Sequence, residues 1–573
     1  MLRWRDDDVD PTTRAELETL LATADGTGNG GDGAAAAVAA LTDAFAGTLE
    51  FGTAGLRGAL GAGPHRMNRA VVIAAAAGLT AYLWDQVNQL AGGDPRRPPK
   101  VVIGYDARHH SDVFARDTAA VVTAAGGEAL LLPRHLPTPV LAFAVRHLAA
   151  DAGVMVTASH NPPQDNGYKV YLGGRVDASP GQGAQIVPPA DAGIAARIAA
   201  VGPARAVPRS DGGWRVLDET LVGDYLAAIT ALVQPGPRDL DVVLTPLHGV
   251  GGEVAQRALV TAGFGAPYVV PQQAEPDPDF PTVAFPNPEE AGAIDLALAA
   301  ARERGADLVL ANDPDADRCA VAVPTGSGSA GDGDWRMLTG DELGALLGEH
   351  LLATRGWAEP VVACSIVSSQ LLTRIAQAHR AHHEQTLTGF KWISRVAGLR
   401  FGYEEALGYC VAPDVVRDKD GISAALVVCE LAASLKAQGR SLLDALDDLA
   451  VTHGVHATSP LSFRVADLSL IGAAMARLRA RPLTTLGGQQ VAGIDDLADG
   501  DGGLPPTDGL RYRTDGGIRV VVRPSGTEPK LKCYLEAVVP VVGGRPGLAA
   551  AREHAADLLA IVRSDLTAGL GLT

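Results

Sequence analysis

Cysteine and lysine are scarce in this chain of 573 residues. The five cysteines are an odd number and include no CxxC pair, so we expect reduced, structural thiols and no disulfide framework. Because only seven lysines are present, the position of each one is informative. They stand at residues 100, 169, 391, 419, 436, 530 and 532.

Net positive charge and long apolar runs are also lacking. The net charge of −18 argues against a nucleic-acid partner, because a phosphate backbone needs a basic footprint, although small anionic substrates remain possible. The apolar run VVIAAAAGLT from Val71 looks too short and too weakly apolar to span a bilayer. The start, MLRWRDDDVD, carries charges where a signal peptide needs apolar residues, so we expect a cytoplasmic protein without a membrane partner.

Two common nucleotide-binding signatures give no support to a nucleotide enzyme. The P-loop pattern GxxxxGK[ST] does not occur, which argues against direct use of a nucleotide through such a loop. The tract GTGNGG from Gly26 has the letters of the dinucleotide pattern, but it follows a helix-like stretch and no strand. We therefore interpret it as a flexible loop.

Three segments share one layout, in which a β-branched strand breaks into a polar loop and then a helix. They begin at Val101, Val242 and Val361 and predict three α/β domains with loops at the carboxyl ends of strands, where open sheets bind ligands. A fourth unit follows from about Thr458, with two strand-like runs about a tight turn. The expected domains are residues 1–215, 216–325, 326–455 and 456–573.

The stretch VTASHNPPQDNGYKVY from Val156 places Ser159 beside His160, ahead of an Asn-Pro-Pro that stops a helix. Neighbouring residues on an extended strand point to opposite faces, so we do not expect His160 to lie under the Ser159 hydroxyl as a hydrolase base would. No GxSxG motif is present either. A serine hydrolase is therefore disfavoured.

The stretch ADLVLANDPDADRCAVAV from Ala306 is a buried-type strand interrupted by Asp313, Asp315 and Asp317. Three close carboxylates repel one another unless a positive group lies among them, and a hard divalent cation such as Mg²⁺ fits. An EF-hand fails by count, because its sixth position would be Arg318 and its twelfth Pro324. The alternative is a solvated acidic turn.

Three further stretches are weaker signals. In VVVRPSGTEPK, a guanidinium, hydroxyls and a glycine turn could form a phosphate nest, or simply an exposed hairpin. In YEEALG, two carboxylates could accept hydrogen bonds from sugar hydroxyls, or begin a helix. In TGFKW, Lys391 could clamp a phosphate or be a surface charge.

Together these stretches resemble one known family, the phosphoglucomutase/phosphomannomutase superfamily of α-D-phosphohexomutases. TASHNPPQDNGYKVY resembles its phosphoserine loop, DPDADR its metal loop, YEEALG its sugar loop and RPSGTEPK its phosphate loop, and FGTAGLRG resembles its amino-terminal loop. The motifs occur in the family's order. The resemblance implies an α/β chain of four domains: three similar α/β domains with mixed sheets and a smaller, TBP-like α+β C-terminal domain, around a central cleft.

The resemblance also implies a mechanism. Ser159 would carry a phosphoryl group, with Mg²⁺ held by Asp313, Asp315, Asp317 and an oxygen on Ser159. Lys169 is the first candidate for general acid/base and His160 the second. The expected substrate-binding residues are Arg57, Lys391, Glu404, Glu405, Arg523, Ser525, Gly526 and Thr527. Arg318 and His248 could line the same cleft or be purely structural.

The resemblance also implies a sugar-phosphate substrate, and the expected reaction interconverts glucose 1-phosphate and glucose 6-phosphate, with glucose 1,6-bisphosphate as intermediate and activator. Many hexose-phosphate mutases carry a serine where this chain has Ala406, and the EEA[LI]G form is similar to a branch that includes phosphopentomutases as well as bacterial phosphoglucomutases. Phosphopentose and phosphomannose are therefore the alternatives. A non-catalytic sugar-phosphate sensor is an alternative of another class, and we expect a monomer or homodimer.

Overall fold

A computed structural model describes the chain except for residues 27–32, 53–54, 91–96, 327–333, 466, 468, 501–502, 526–529 and 572–573. All but the first residue of the GTGNGG tract lies outside the described residues, so its interpretation as a loop stays a prediction. The chain forms two compact units. The first is Met1–Leu338, Ser394–Ala397 and Gly408–Ala433, and the second is Thr339–Ile393, Gly398–Leu407 and Ser434–Thr573.

The first part of the first unit is built on a six-stranded mixed sheet. Its elements are α1 (Leu2–Asp7), α2 (Pro11–Ala24), α3 (Ala34–Ala44), β1 (Leu56–Ala59), α4 (Arg69–Leu90), β2 (Lys100–Tyr105), α5 (Ser111–Ala124), β3 (Glu128–Leu131), α6 (Thr138–His147), β4 (Ala152–Val156), β5 (Asp165–Leu172), α7 (Ala190–Ala199) and β6 (Arg215–Val216). The strand order is β1-β5-β4-β2-β3-β6. β2 runs parallel to β3 and β4, whereas β5 is antiparallel to β4 and β1.

The central strands of this sheet are nearly continuous apolar runs. All five residues of β4 and the four inner residues of β2 are buried, as expected for strands covered on both faces. Helices α5 and α6 both pack on β2. The loops that leave β2 and β4 are therefore anchored on a rigid core.

A second, five-stranded sheet completes most of the first unit. Its elements are α8 (Thr220–Thr230), β7 (Val242–Thr245), α9 (Gly252–Thr261), β8 (Tyr268–Val269), α10 (Asp295–Arg304), β9 (Leu308–Ala311), β10 (Ala320–Pro324) and β11 (Trp335–Met337). The strand order is β11-β10-β9-β7-β8, with β7 parallel to β8 and β9 and with β10 antiparallel to β9.

The second unit begins with a domain of the same build. Its elements are α11 (Gly340–Thr354), β12 (Val361–Ser365), α12 (Leu371–Ala378), β13 (His382–Thr386), α13 (Phe390–Ile393) and β14 (Leu399–Glu404). Strand β12 is parallel to both β13 and β14. The next elements, β15 (Gly408–Cys410) and most of α14 (Gly421–Lys436), belong to the first unit.

The rest of the second unit is an antiparallel sheet covered by helices. Its elements are α15 (Leu442–His453), β16 (Val455–Arg464), α16 (Ser469–Ala480), β17 (Thr485–Leu486), β18 (Gln489–Asp496), β19 (Leu510–Thr514), β20 (Ile518–Pro524), β21 (Lys530–Val539) and α17 (Leu548–Leu570). The strand order is β16-β21-β20-β19-β18-β17. Helix α17 packs on β16 and β21, and exposure alternates along β18, so this sheet keeps one face towards solvent.

The three strand-loop-helix segments predicted from the sequence are confirmed. They correspond to β2–α5, β7–α9 and β12–α12. The two strand-like runs about a tight turn are β20 and β21, which pair antiparallel. The five cysteines are buried and free, which confirms the expected structural thiols.

Helix α4 is longer than its sequence suggested. The run VVIAAAAGLT belongs to a helix of 22 residues, because the helix begins before the run and continues through less apolar residues to Leu90. By length and composition alone, α4 could cross a membrane, but 56% of its most apolar stretch is buried. Val72, Leu79 and Leu83 pack in the core beneath the first sheet, so α4 serves here as a core helix.

Candidate active site

Ser159 lies in the loop that joins β4 to β5. Ser159 is only 3% exposed, and its backbone conformation is left-handed, with a φ of 53°. A left-handed residue other than glycine is disfavoured by its Cβ. The backbone N–H of Ser159 donates to Oγ1 of Thr157 at 2.9 Å, which helps to hold this conformation.

His160 lies closer to the serine hydroxyl than the sequence suggested. Its Nδ1 is 3.2 Å from Oγ of Ser159, so the expectation that the two side chains point apart was wrong. The reason is that β4 ends at Val156 and strand alternation no longer applies at a left-handed residue. Burial, together with the charges of Arg318 and Arg57, holds the pKa of His160 well below its usual value, which favours the neutral ring.

The three aspartates lie in the loop that joins β9 to β10. Asp313, Asp315 and Asp317 are all buried, and one oxygen from each lies within 4.8 Å of the others. The hydroxyl of Ser159 donates a hydrogen bond of 2.6 Å to Oδ2 of Asp313. The structure therefore brings the predicted phosphoserine loop and the predicted metal loop together within the first unit.

The chemistry of the three carboxylates fits a divalent cation. Oδ1 of Asp315 and Oδ1 of Asp317 are buried and have no hydrogen-bond partner among the residues that the structure describes. Burial, and then the charges of Asp315 and Asp317, raise the pKa of Asp313 well above its usual value. A cation that prefers oxygen ligands, such as Mg²⁺, would satisfy these oxygens and remove the repulsion.

Two buried lysines neutralise part of this charge. Nζ of Lys169, on β5, lies 2.7 Å from Oδ2 of Asp315 and 3.0 Å from Oδ2 of Asp317. Burial opposes the charge of Lys169, but the two carboxylates outweigh it and its pKa is raised. Nζ of Lys419 lies 3.2 Å from the same oxygen of Asp317. Lys419 is not among the site residues predicted from the sequence, although the scarcity of lysine and its position in RDKDG were available signals.

The other predicted residues of the first unit lie at different distances from the serine. Arg57 Nη1 donates to Oδ1 of Asn161 in the Ser159 loop at 3.3 Å. Nε of Arg318 is 3.9 Å from carboxylate oxygens of both Asp313 and Asp317. His248 is buried, and its Nε2 lies 2.8 Å from Oγ1 of Thr282, which is a contact within the second sheet's loops.

The predicted sugar loop lies in the second unit. Glu404 ends β14, and Glu405 follows it in a turn, so the alternative of a helix start is wrong. Oε2 of Glu405 accepts hydrogen bonds from Oγ of Ser365 at 3.0 Å and Oγ of Ser368 at 3.2 Å. Lys391 lies in α13 with its ammonium 5.9 Å from the centre of the Trp392 ring.

The predicted phosphate loop joins β20 to β21 in the same unit. Arg523, near the end of β20, lies opposite Lys532 in the antiparallel register of β20 and β21. The backbone N–H of Ser525 donates a hydrogen bond to the carbonyl of Lys530 at 2.8 Å. Gly526 and Thr527 lie outside the described residues, so their predicted role is not addressed by the structure.

Comparison with known proteins identifies the class of this chain. Models of the phosphoglucomutase/phosphomannomutase family match four successive parts: alpha/beta/alpha domain I over residues 48–201, domain II over 223–326, domain III over 339–452 and the C-terminal domain over 463–541. The chain belongs to the phosphoglucomutase/phosphomannomutase family. The predicted fold class is thereby confirmed.

Relatives with different named substrates cover most of the chain. A probable phosphomannomutase of Haemophilus influenzae is 48% identical over 82% of this chain and 93% of its own length. The human phosphopentomutase is 36% identical, covering 87% of this chain and 86% of its own. A phosphoglucomutase of Staphylococcus haemolyticus is 34% identical, covering 85% and 90%.

These findings confirm part of what the sequence predicted. The chain is a mutase of the α-D-phosphohexomutase superfamily, whose members are Mg²⁺-dependent. The boundaries of the four domains, the roles of the individual site residues and the bisphosphate activator stay predictions.

Proposed function

We propose that this protein is a phospho-sugar mutase in which Ser159 carries the transferred phosphoryl group. The observation that supports this most strongly is the 2.6 Å hydrogen bond from the Ser159 hydroxyl to Asp313, inside a buried group of three aspartates. A hydroxyl in this position is adjacent to the residues that would hold Mg²⁺. Transfer through a loose transition state depends mainly on such positioning and on charge stabilisation.

The reaction begins with phosphorylated Ser159 and a sugar monophosphate. A free sugar hydroxyl attacks phosphorus, a new bond forms from phosphorus to the sugar oxygen, and the bond to Oγ of Ser159 breaks. The sugar hydroxyl loses its proton to a base, and Oγ of Ser159 takes up a proton from an acid, which restores the serine hydroxyl. The resulting sugar bisphosphate reorients and returns its other phosphoryl group to Ser159. Once Ser159 is phosphorylated, each cycle returns one phosphoryl group to it, so the reaction needs no external phosphoryl donor.

Two residues are candidates for the proton transfers. The pKa of His160 is held well below its usual value by burial and nearby arginines, and its Nδ1 lies 3.2 Å from Oγ of Ser159. The ammonium of Lys169 is bound to two aspartates. His160 is therefore placed to accept a proton at Oγ, and Lys169 to donate one or to balance negative charge. Asp313, Asp315 and Asp317 would hold Mg²⁺, which when bound neutralises charge on the phosphoryl oxygens.

Binding of the sugar and its non-reacting phosphate would fall to the second unit. Glu405, fixed by Ser365 and Ser368, keeps lone pairs on its carboxylate for sugar hydroxyls. Arg523, with Ser525, Gly526 and Thr527, is proposed to hold the phosphate, since a guanidinium binds such oxyanions in a bidentate way. Arg57 and Lys391 are proposed as further contacts.

We propose glucose 1-phosphate and glucose 6-phosphate as the substrate pair, with glucose 1,6-bisphosphate as activator. A second candidate is a pentose phosphate, which is favoured by Ala406 in the sugar loop and by the human phosphopentomutase at 36% identity. Mannose phosphate is a third, because the probable phosphomannomutase is 48% identical. Rates on glucose, mannose and ribose 1-phosphates, measured side by side, decide among them.

We also infer a cytoplasmic protein, monomeric or homodimeric, whose partner is a small sugar phosphate and neither nucleic acid nor membrane. The net charge of −18 supports the exclusion of nucleic acid. Light scattering of the purified protein measures the oligomeric state.

The experiment that tests the proposed function compares Ser159→Ala with Ser210→Ala, a half-buried serine of the same unit. We expect Ser159→Ala to lose all mutase activity while unfolding at the temperature of the parent protein, and Ser210→Ala to remain active. Activity of the parent should require Mg²⁺ and rise with glucose 1,6-bisphosphate. A parent protein that binds sugar phosphates without turnover would indicate a sensor and overturn the proposal.

A further inference from the structure

One buried arginine contacts much of the backbone that carries Ser159. Arg108 lies between β2 and α5 and is 4% exposed. Its guanidinium donates to four backbone carbonyls, three in the loop between β4 and β5 and one at the first residue of β5. These are the carbonyls of Ser159 at 2.6 Å, Asn161 at 2.5 Å, Pro162 at 2.8 Å and Asp165 at 3.2 Å.

Other side chains hold the guanidinium of Arg108 in place. Nε of Arg108 lies 3.4 Å from Oδ2 of Asp106. Oδ1 of Asp106 accepts hydrogen bonds from the backbone N–H of Arg108 at 3.0 Å and from Oγ of Ser111 at 2.7 Å, so the carboxylate is held in place. The centre of the guanidinium also lies 5.0 Å from the centre of the Phe280 ring. A charged side chain that is ion-paired, stacked and buried has little freedom to move.

The loop needs such a support because its central residue is strained. Ser159 has a φ of 53°, a conformation that is unfavourable for a residue with a Cβ. Its N–H is bound by Thr157 and its carbonyl by Arg108. The peptide groups on both sides of the serine are thus held, and with them the direction of its side chain.

We propose that Arg108 is a positioning residue for phosphoryl transfer, because its guanidinium binds four carbonyls of the loop and of the start of β5 and so keeps Oγ of Ser159 beside Asp313. The inference rests on the proposed function, in which Ser159 is the phosphoryl carrier. A guanidinium presents five N–H donors in a planar fork, and an ammonium group presents three from one point. Lysine therefore cannot replace arginine here.

The test compares Arg108→Ala and Arg108→Lys with Arg116→Ala, an exposed arginine of α5 that pairs with Asp112. For both Arg108 variants we expect kcat to fall about 100-fold, because a displacement of about 1 Å has that effect on a reacting group. KM for the sugar phosphate should stay within about twofold, since sugar binding is assigned to other residues. The Arg116 variant should match the parent.

Chemical rescue separates positioning from a general loss of structure. Guanidinium ion, added at concentrations below those that unfold the parent protein, should restore part of kcat in Arg108→Ala and none in Ser159→Ala. Quenched-flow measurement of phosphoryl transfer from Ser159 to the sugar should show the same loss and the same rescue. If Arg108→Ala does not fold, Arg108→Lys and Asp106→Asn carry the comparison.

Folded Arg108 variants with the parent's kcat would overturn the inference. A fall in kcat/KM that comes entirely from a higher KM, with kcat unchanged, would overturn it too. Both results would leave the proposed function intact, because it is tested separately by Ser159→Ala. Absence of phosphoserine turnover in the parent protein would instead overturn the proposed function itself.

Discussion

The hydroxyl of Ser159 donates a 2.6 Å hydrogen bond to Oδ2 of Asp313, 154 residues further along the chain. The two residues come from loops of two different sheets in the first unit. Each loop alone is a plausible turn, but their meeting joins a nucleophilic hydroxyl to a group of carboxylates suited to a cation. This pair is the basis of the account of function.

Magnesium should stabilise the folded protein and not only activate it. A ligand that binds only the folded state at about 100 times its Kd adds about 3 kcal/mol to the free energy of unfolding. We expect Mg²⁺ to raise the unfolding temperature of the EDTA-treated parent. The double variant that carries both Asp315→Asn and Asp317→Asn should abolish this shift, because it removes two of the three carboxylate ligands.

The control for this measurement is Asp211→Asn, an exposed aspartate of the same unit, which should retain the full shift. An equal shift in the double variant and in the parent would show that Mg²⁺ binds elsewhere. Calorimetric titration of Mg²⁺ into the three proteins provides a second reading that does not depend on activity.

Gly421 should be sensitive to the addition of a single methyl group. A Cβ at this position would overlap the carbonyl oxygen of Arg318 and lie 2.9 Å from that of Ala316, so it would push on the loop of three aspartates. Overpacking of this kind costs about 1–3 kcal/mol. We expect Gly421→Ala to lower both the free energy of unfolding and the affinity for Mg²⁺.

Gly472→Ala is the matched control, because that glycine lies in α16 and, apart from the helix's own backbone, no atom of the described residues lies within 4 Å of the added carbon. It should raise the free energy of unfolding by about 0.5–1 kcal/mol, the usual gain of alanine in a helix. Unchanged Mg²⁺ affinity in Gly421→Ala would mean that the aspartate loop tolerates the displacement.

Asp341 should make stability depend on pH. It accepts hydrogen bonds from the N–H of Ser369 and the hydroxyl of Tyr403, and burial, aided by the charges of Glu405 and Glu536, raises its pKa from 3.8 to about 7. Between these values the folded state holds a proton that the unfolded state has released. Stability from this group is therefore lost as pH rises through the window, by about 4 kcal/mol in all.

Asp341→Asn cannot ionise and keeps an acceptor oxygen for both hydrogen bonds. We expect its free energy of unfolding in urea to fall less than that of the parent between pH 5 and about pH 8. Asp515→Asn, an exposed aspartate of the second unit, should behave as the parent does. Parallel pH profiles for the parent and Asp341→Asn would contradict the assignment.

Ser365 and Ser368 should contribute to substrate affinity through Glu405. Both hydroxyls donate to Oε2 of Glu405, and the loss of hydrogen bonds to a charged group costs about 1.5–3 kcal/mol. Replacement of both serines by alanine should therefore raise KM for the sugar phosphate about tenfold or more, with a smaller change in kcat.

Thr452→Ala serves as the control for the serine pair, since its hydroxyl bonds only to the carbonyl of Asp448 on an exposed face of α15, as far as the described residues show. A double serine variant with unchanged KM would show that these hydroxyls do not orient Glu405 for binding.

Much of this architecture could be predicted from the sequence because the signals are local. The alternation of β-branched runs, polar loops and helical stretches located β2–α5, β7–α9 and β12–α12, and acidic residues inside an apolar run located the aspartate loop. Buried strands can be recognised by composition alone, since their side chains are apolar on both faces.

Other features depend on contacts that no local pattern encodes. His160 reaches Ser159 only because the serine backbone is left-handed, which a pattern of alternating faces does not show. Arg108 acts through backbone carbonyls 51 to 57 residues away, and Lys419 acts through Asp317 after a much longer separation. Such pairings are set by the packing of whole domains.

The most direct test of the account is the location of phosphate on the protein. The parent protein is incubated with Mg²⁺ and glucose 1,6-bisphosphate, digested and analysed by tandem mass spectrometry. We expect one phosphorylated residue, Ser159, whose phosphoryl group disappears when glucose 1-phosphate is added and glucose 1,6-bisphosphate forms. Sustained mutase turnover with Ser159 never phosphorylated, or with phosphate on another residue, would contradict it.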